Sequence, residues 1–166
     1  MTTTSQVPAI TDYLVTTAQA WPSLAGVTVV DGPQPSKTLE TIQKLLWIGA
    51  DPAQPQDPAA DDVQAWPVLD YARTKDEDGT VTCAAQDWSG DTSNKVHRDG
   101  AAAIVAGVEL MLRGNPNQGG PGDASMGGLV LWSGVDAHTW YPRQVSNGAL
   151  CLVVFRIIYK ARLVTS

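Results

Sequence analysis

Apolar residues recur at three- and four-residue spacing in two stretches of the chain, which is the period of an amphipathic helix. The first stretch runs from 7 to 21 and carries Pro8, which a first helical turn tolerates. The second follows capping candidates between 89 and 93 and ends at Gly114, a residue typical of helix C-termini. Its apolar stripe comprises Val96, Gly100, Ala103, Ile104, Val108, Met111 and Leu112. We therefore predict two main helices.

Strand patterns fill most of the remaining chain. Alternating or β-branched residues predict strands at 24–31, 44–49, 63–71, 80–88, 129–132, 139–144 and 149–163. Asp78-Gly79 and Asn147-Gly148 are turn signals of β-hairpins, and Gly134 begins a third predicted turn. The order of these elements predicts a sheet that is mostly antiparallel.

Stretches rich in proline or glycine interrupt this order at 50–62 and 115–128. Prolines remove backbone donors and fix φ, and glycines raise the entropy lost on ordering, so we expect two long flexible loops. Residues 1–6 are also expected to be flexible. The pattern as a whole predicts one α+β domain over 1–166, with the two helices packed on one face of the sheet.

Composition and charge narrow the possible functions. The chain has 17 acidic and 11 basic residues, and its net charge of −6 disfavours a general electrostatic grip on nucleic acid or anionic lipid. No apolar run reaches the roughly 18 residues of a membrane span, and the N-terminal residues do not resemble a signal peptide. Cys83 and Cys151 lie in apolar strand patterns, which favours buried thiols in a reducing compartment. We therefore expect synthesis in the cytoplasm and no membrane partner.

The sequence offers little for catalysis or metal binding. His97 and His138 have no partner at metal-ligand spacing, so we expect a solvated His97 and an edge-packed His138. No serine lies in a Gly-x-Ser-x-Gly motif. The glycine-rich loop follows a helix and precedes a strand, the reverse of the order in phosphate-binding loops. We expect no enzyme, no catalytic residues, no cofactor and no metal.

Acidic and aromatic residues are the remaining candidates for function. The acids match no calcium-binding loop, and we expect them to form a solvated face comprising Asp57, Asp61, Asp62, Asp76, Glu77 and Asp78. The chain has six tryptophans and one phenylalanine, and most of the tryptophans lie at the ends of predicted elements. Capping of the core is the favoured role there, but Trp140 beside Tyr141 and Arg143 has the composition of an interface.

Between 8 and 163 the chain resembles the tail terminator proteins of long-tailed phages that infect actinobacteria. The segments that carry the resemblance are Pro8-Ala-Ile-Thr-Asp-Tyr-Leu, Gly26-Val-Thr-Val-Val-Asp-Gly-Pro, Leu46-Trp-Ile-Gly, Cys83, Ser89-Gly-Asp-Thr, Leu110-Met-Leu-Arg, Leu129-Val-Leu-Trp, Asn147-Gly-Ala-Leu and the basic last strand. The resemblance implies an α+β fold like that of the lambda minor tail protein U. It also implies a hexameric ring in the virion that caps the tail tube, stops its polymerisation and joins the filled head. The implied partners are other copies of the chain, the tail tube protein and head–tail connector proteins.

On this resemblance, the acidic face lines a lumen through which DNA passes without specific binding. The long loops and the basic face of the last strand would contact the ring or the tube. The candidate interface residues are Arg156, Lys160, Arg162, Trp140, Tyr141, Arg143, Asn117, Gln118, Asp123 and Met126. For the three basic residues of the last strand, the alternative is protection of an exposed sheet edge.

Two other functions stay open at this point. One is a head–tail connector or head-completion protein in the neck of the same assembly. The other is a small β-rich binding module, in which Trp140 and Tyr141 form a platform for a ligand.

Overall fold

The computed structural model describes residues 4–34, 42–66, 74–113 and 122–164. Within them, helix α1 spans Val7–Ala20, a 3-10 turn spans Pro22–Leu24 and helix α2 spans Asn94–Met111. The described strands are β1 (Thr28–Asp31), β2 (Lys44–Ile48), β3 (Ala60–Ala65), β4 (Thr74–Ser89), β5 (Trp132–Val145) and β6 (Gly148–Val164). Pro8 lies in the first turn of α1, and the Ser93 hydroxyl accepts a hydrogen bond from the Val96 amide at the start of α2.

The described strands form one sheet in the order β1-β2-β4-β6-β5. The long strand β4 pairs with β3 along its first half and with β2 along its second half, and β6 pairs with all of β4 on the other side. Within the described ranges only β1 and β2 are parallel. The predicted α+β fold with a mostly antiparallel sheet is therefore confirmed.

The main core lies between one face of the sheet and both described helices. Every second residue of β6 from 151 to 161 is buried in it, as the alternating pattern predicts. Helix α1 adds three residues at four-residue spacing, namely Ile10, Leu14 and Ala18. Full burial of a large aliphatic side chain is worth roughly 1.5–3 kcal/mol, so this face holds the helices to the sheet.

The opposite face of the sheet carries a smaller apolar cluster and no described helix. Leu45 and Trp47 of β2 pack there with Ala84 and Leu152. Ala50, at the start of the proline-rich loop, is buried in the same cluster. Toward β3 this face changes from apolar to charged residues.

Cys83 and Cys151 are buried free thiols, as the sequence predicts. Burial raises the pKa of the Cys83 thiol to about 12 and also raises the pKa of Cys151. Because the thiolate is the reactive form, we expect the native protein near pH 8 to react with a disulfide reagent at least about 100-fold more slowly than the protein in guanidinium. Because the thiol pKa is higher in the folded state, the thiols of the unfolded state ionise at lower pH. The free energy of unfolding therefore falls as pH rises from about 9 toward 12. Rapid labelling of either thiol in the native protein would contradict this assignment.

Two predicted turns lie inside strands. Asp78-Gly79 is in the middle of β4, where Gly79 pairs with Tyr159 and a Cβ would collide with the Tyr159 hydroxyl. The glycine is therefore needed for room and not for a turn. The turn predicted at Gly134 is also wrong, because β5 continues past it with a bulge at Ala137, whose φ is 48°.

Other boundaries differ from the prediction for local reasons. The loop predicted at 50–62 ends early, because 60–62 already pair with β4 as the start of β3, while 67–71 lie outside the described residues. The strand predicted at 24–31 is shortened to β1 by the 3-10 turn before it. The final hairpin predicted at Asn147-Gly148 is confirmed, with Val145 paired to Gly148.

The buried stripe of α2 is shifted from the predicted one. Val96 is 51% exposed and Ala103 is also exposed, whereas His97 is buried. The residues that face the sheet are His97, Ala101, Ile104, Val105, Gly107, Val108 and Met111. The buried face of α2 begins with the polar His97 because this side chain contacts Asp87 of β4. Gly114, the predicted C-terminal stop, lies outside the described residues.

Candidate functional site

The predicted acidic and basic faces turn out to be one surface, on the side of the sheet without a described helix. The register of β4 and β6 sets Asp76 opposite Arg162 and Asp78 opposite Lys160. Arg162 donates from Nε and Nη2 to the two oxygens of Asp76 at 2.7 and 3.0 Å, and Lys160 donates to Asp78 at 3.3 Å. The hydrogen bond from Arg162 holds the pKa of Asp76 below its usual value. The prediction of two separate charged faces is wrong for these four residues, because they neutralise one another.

Strand β6 lies between β4 and β5, so its basic residues do not protect a sheet edge, and that alternative is wrong. Arg156 is exposed on β6, opposite Asp136 of β5, and forms no ion pair within 4.0 Å among the described residues. It lines a cleft of about 250 Å³ together with Asp51, Asp57 and Asp61. Arg162 and Lys160 are paired with Asp76 and Asp78, whereas the charge of Arg156 is not neutralised by a described ion pair and faces the cleft.

Glu77 does not belong to the acidic face, because it is fully buried on the helix side. Its Oε1 accepts from the Gln6 amide at 3.0 Å and from the Tyr159 hydroxyl at 2.9 Å, and its Oε2 accepts from Gln64 Nε2 at 2.7 Å. Gln6 is the N-cap of α1, where backbone donors lack helical partners and a carboxylate is favourable. Burial, and then Glu77, raise the pKa of Tyr159.

Glu77 thus anchors the start of α1 to β4 and β6. The Gln64 and Lys75 side chains add hydrogen bonds to the Thr4 carbonyl at 2.7 and 3.1 Å. The expectation of a flexible N-terminal segment is therefore wrong for 4–6, and 1–3 lie outside the described residues.

Strand β3 and the loop before it form an exposed acidic edge, which we define by Asp57, Asp61, Asp62, Val63 and Trp66. All five side chains are exposed, Val63 at 72% and Trp66 at 54%. Residues 51–66 contain four carboxylates and no Lys or Arg. In the described part of the sheet β3 pairs with β4 alone, so its other side is free for a partner.

The predicted patch of Trp140, Tyr141 and Arg143 is wrong, because alternation along β5 separates its members. Trp140 pairs with Val153 on the helix side, whereas Tyr141 pairs with Leu152 on the other side and packs on the smaller cluster. Arg143 is exposed on the same side as Tyr141. A single ligand platform made by Trp140 and Tyr141 is thereby excluded.

Trp140 belongs instead to a groove between α2 and β5, with a volume of about 210 Å³. We call it the α2–β5 groove, and its lining residues are Ala102, Val105, Ala106, Glu109, His138 and Trp140. Trp140 is 41% exposed. The His138 ring stacks on Phe155 with 6.5 Å between centroids. The groove therefore combines a half-exposed indole with the small side chains of a helix.

The described end of the glycine-rich loop is folded into turns, so the expectation of a flexible loop is wrong there. The Asp123 amide donates to the Met111 carbonyl at 2.9 Å, and the Asp123 carboxylate accepts from the amides of Ser125 and Gly127 at 2.8 and 2.7 Å. Met126 is fully buried in the main core, so its prediction as an interface residue is wrong. Asp123 is an internal cap of these turns. Asn117 and Gln118 lie outside the described residues.

A cluster that the sequence reasoning missed joins α2 to β4. His97 is 1% exposed, so the prediction of a solvated side chain is wrong. Its Nδ1 is 2.6 Å from Asp87 Oδ1, and its Nε2 is 3.2 Å from Ser89 Oγ and 3.1 Å from the Asp91 carbonyl. Gly100 makes room for this contact, because a Cβ there would collide with the Asp87 carboxylate.

Asp87, His97 and Ser89 are connected in the order of a hydrolytic triad, but their geometry favours a structural role. The ring of His97 is 1% exposed, and its Nε2 is shared between Ser89 Oγ and the Asp91 carbonyl. A general base needs Nε2 free to take a proton from the serine. The Ser89 oxygen also accepts from the Asp91 amide at 3.2 Å. The cluster therefore ties the start of α2 to the end of β4.

No group of three or more His, Cys, Asp or Glu side chains among the described residues is arranged to hold a metal ion. None of the described helices has the length and apolarity needed to cross a membrane. No protein-family model matches the chain, and no curated protein sequence matches it. Among the described residues, the acidic edge and the α2–β5 groove are two exposed surfaces that carry large apolar side chains.

Proposed function

We propose that the chain is a structural protein of a phage tail, a tail terminator that forms a ring on the head-proximal end of the tail tube. The ring stops tube polymerisation and provides the surface for head joining. The observation that carries this proposal is the position of the acidic edge and the α2–β5 groove on opposite edges of one sheet. When two different surfaces on opposite sides of a chain bind each other, copies associate head to tail, and such contacts close into a ring if the rotation between copies permits.

The charge distribution supports passage of DNA through such a ring. The net charge is −6, and an acidic wall repels the phosphates that move past it. Asp57, Asp61 and Asp62 are exposed and add to the negative charge of the surface. Asp76 and Asp78 are held by Arg162 and Lys160 and contribute little net charge.

The proposal predicts a defect in tail length. Phage particles assembled without this chain are expected to carry tail tubes several times the normal length and without heads, because nothing stops tube polymerisation. Negative-stain electron microscopy of lysates measures the tail length, and the wild-type chain supplied in trans is the control. Tails of normal length detached from heads would identify a head–tail connector or neck protein instead. Normal infectious particles would contradict any structural role in the virion.

A further inference from the structure

We propose that the partner of the α2–β5 groove is a second copy of this chain, which inserts Trp66 of its acidic edge. The contact deepens the proposed function and rests on it, since repetition of the contact from copy to copy is what would build the ring. The argument uses the composition of the two surfaces, their charge and their positions in the sheet.

The groove has the composition of a binding surface. Trp140 presents 41% of its surface from β5, opposite the small side chains of Ala102 and Ala106 on α2. Leu110, farther along the helix, is 44% exposed. Exposed apolar residues around a tryptophan are typical of the centre of a protein interface.

The acidic edge carries an exposed aromatic side chain and a charge opposite to that of Arg98. Trp66 is a large apolar side chain with 54% exposure, and three exposed carboxylates accompany it on the acidic edge. Arg98 is exposed one helical turn before Ala102, so a basic group flanks that end of the groove. At the other end Arg113 pairs with the Glu109 carboxylate at 2.9 Å, which leaves Arg98 as the basic group for the partner's carboxylates. Opposite charges at the rim orient two copies and exclude contacts between identical surfaces.

The positions of the two surfaces require that the partner be another molecule. Strands β4 and β6 lie between β3 and β5, which separates the two edges by three strand spacings, about 14 Å. The acidic edge of one chain is therefore fixed away from its own groove. The bulge at Ala137 and the proline at Pro142 interrupt the free backbone groups of β5, which favours docking of side chains in the groove over simple extension of the sheet.

The test uses two variants of the full chain, Trp66→Ser and Trp140→Ser, in sedimentation velocity experiments. Wild-type protein is expected to self-associate between about 10 and 500 µM, and each variant is expected to weaken association at least about 10-fold, because each removes one half of the contact. An equimolar mixture of the two variants is expected to form a 1:1 dimer and nothing larger. In that dimer, the intact groove of one variant holds the intact edge of the other.

Trp132→Ser is the matched control, since Trp132 is on the same strand as Trp140, is 45% exposed and faces the other side of the sheet. It is expected to associate like the wild type, and circular dichroism checks that all three variants fold. A wild-type chain that stays monomeric at about 500 µM would overturn the proposed contact. So would a Trp66→Ser variant that associates as wild type does, which is the result expected from a contact between two grooves.

The contact and the proposed function can fail separately. If Trp66→Ser and Trp140→Ser lose association in solution but support tails of normal length, the result supports the contact and contradicts the terminator function. If deletion of the chain gives overlong tails while both variants associate normally, the result supports the terminator function and contradicts the contact. Loss of association together with overlong tails supports both.

Discussion

Replacement of His97 with alanine is expected to lower the free energy of unfolding by about 3 kcal/mol, which is a large share of the 5–15 kcal/mol of a typical domain. The loss follows from the Asp87 carboxylate, which is only 6% exposed and has His97 as its nearest partner at 2.6 Å. Lys44 Nζ is 3.9 Å from the other Asp87 oxygen and only partly replaces the ring. Urea unfolding followed by circular dichroism measures the change.

Two variants separate the Asp87–His97 contact from general effects of losing a histidine. His138→Ala removes an exposed ring from β5 and is expected to change stability by less than about 1 kcal/mol. The double variant Asp87→Asn, His97→Ala is expected to be more stable than His97→Ala alone, because an amide leaves no buried charge without a partner. If His97→Ala matched His138→Ala in stability, the buried cluster would have no role in holding α2 to β4.

Local periodicity was sufficient to predict most of the fold. The prediction of α1 at 7–21 agrees with the structure to within one residue, because an amphipathic stripe with a proline at one end is a local signal. The last hairpin was predicted for the same reason, since Asn147-Gly148 defines a turn without help from distant residues. The fold class followed from the order of these elements along the chain.

Contacts between distant strands decided what the sequence could not show. Asp76 and Arg162 are 86 residues apart, and only the register of β4 with β6 sets them opposite each other. The sequence alone therefore places Asp76 on an acidic face and Arg162 on a basic face. Gly79 followed an aspartate and had the composition of a turn, but the space taken by Tyr159 keeps it extended inside β4.

The buried His97 could have been predicted from helical phase. It lies four residues before Ala101 and seven before Ile104, both of which are buried, so it continues the stripe that faces the sheet. Because His97 is polar and its neighbour Val96 is apolar, the sequence pattern assigns Val96 to the buried stripe in place of His97. The separation of Trp140 from Tyr141 could also have been predicted, because neighbours in a strand point to opposite faces.

Replacement of Glu77 with alanine is the second change with a large expected effect, about 2–4 kcal/mol of unfolding free energy. Glu77 is fully buried and accepts from three donors, the Gln6 amide, the Gln64 amide group and the Tyr159 hydroxyl. Alanine removes the carboxylate that accepts from the Tyr159 hydroxyl and that lies at the N-terminus of α1. Chemical denaturation measures the loss, and hydrogen exchange of the Gln6 amide is expected to become faster than that of amides in the middle of α1.

Asp78→Ala is the matched control, because Asp78 is the next residue of the same strand but is exposed and pairs with Lys160. Surface ion pairs contribute little, so this variant is expected to change stability by about 0.5 kcal/mol or less. Glu77→Gln separates charge from hydrogen bonding. Its amide oxygen still accepts from Gln6 and Tyr159, but its amide nitrogen faces the Gln64 donor, so an intermediate loss is expected. Equal stability of Glu77→Ala and Asp78→Ala would show that the start of α1 is held by apolar packing alone.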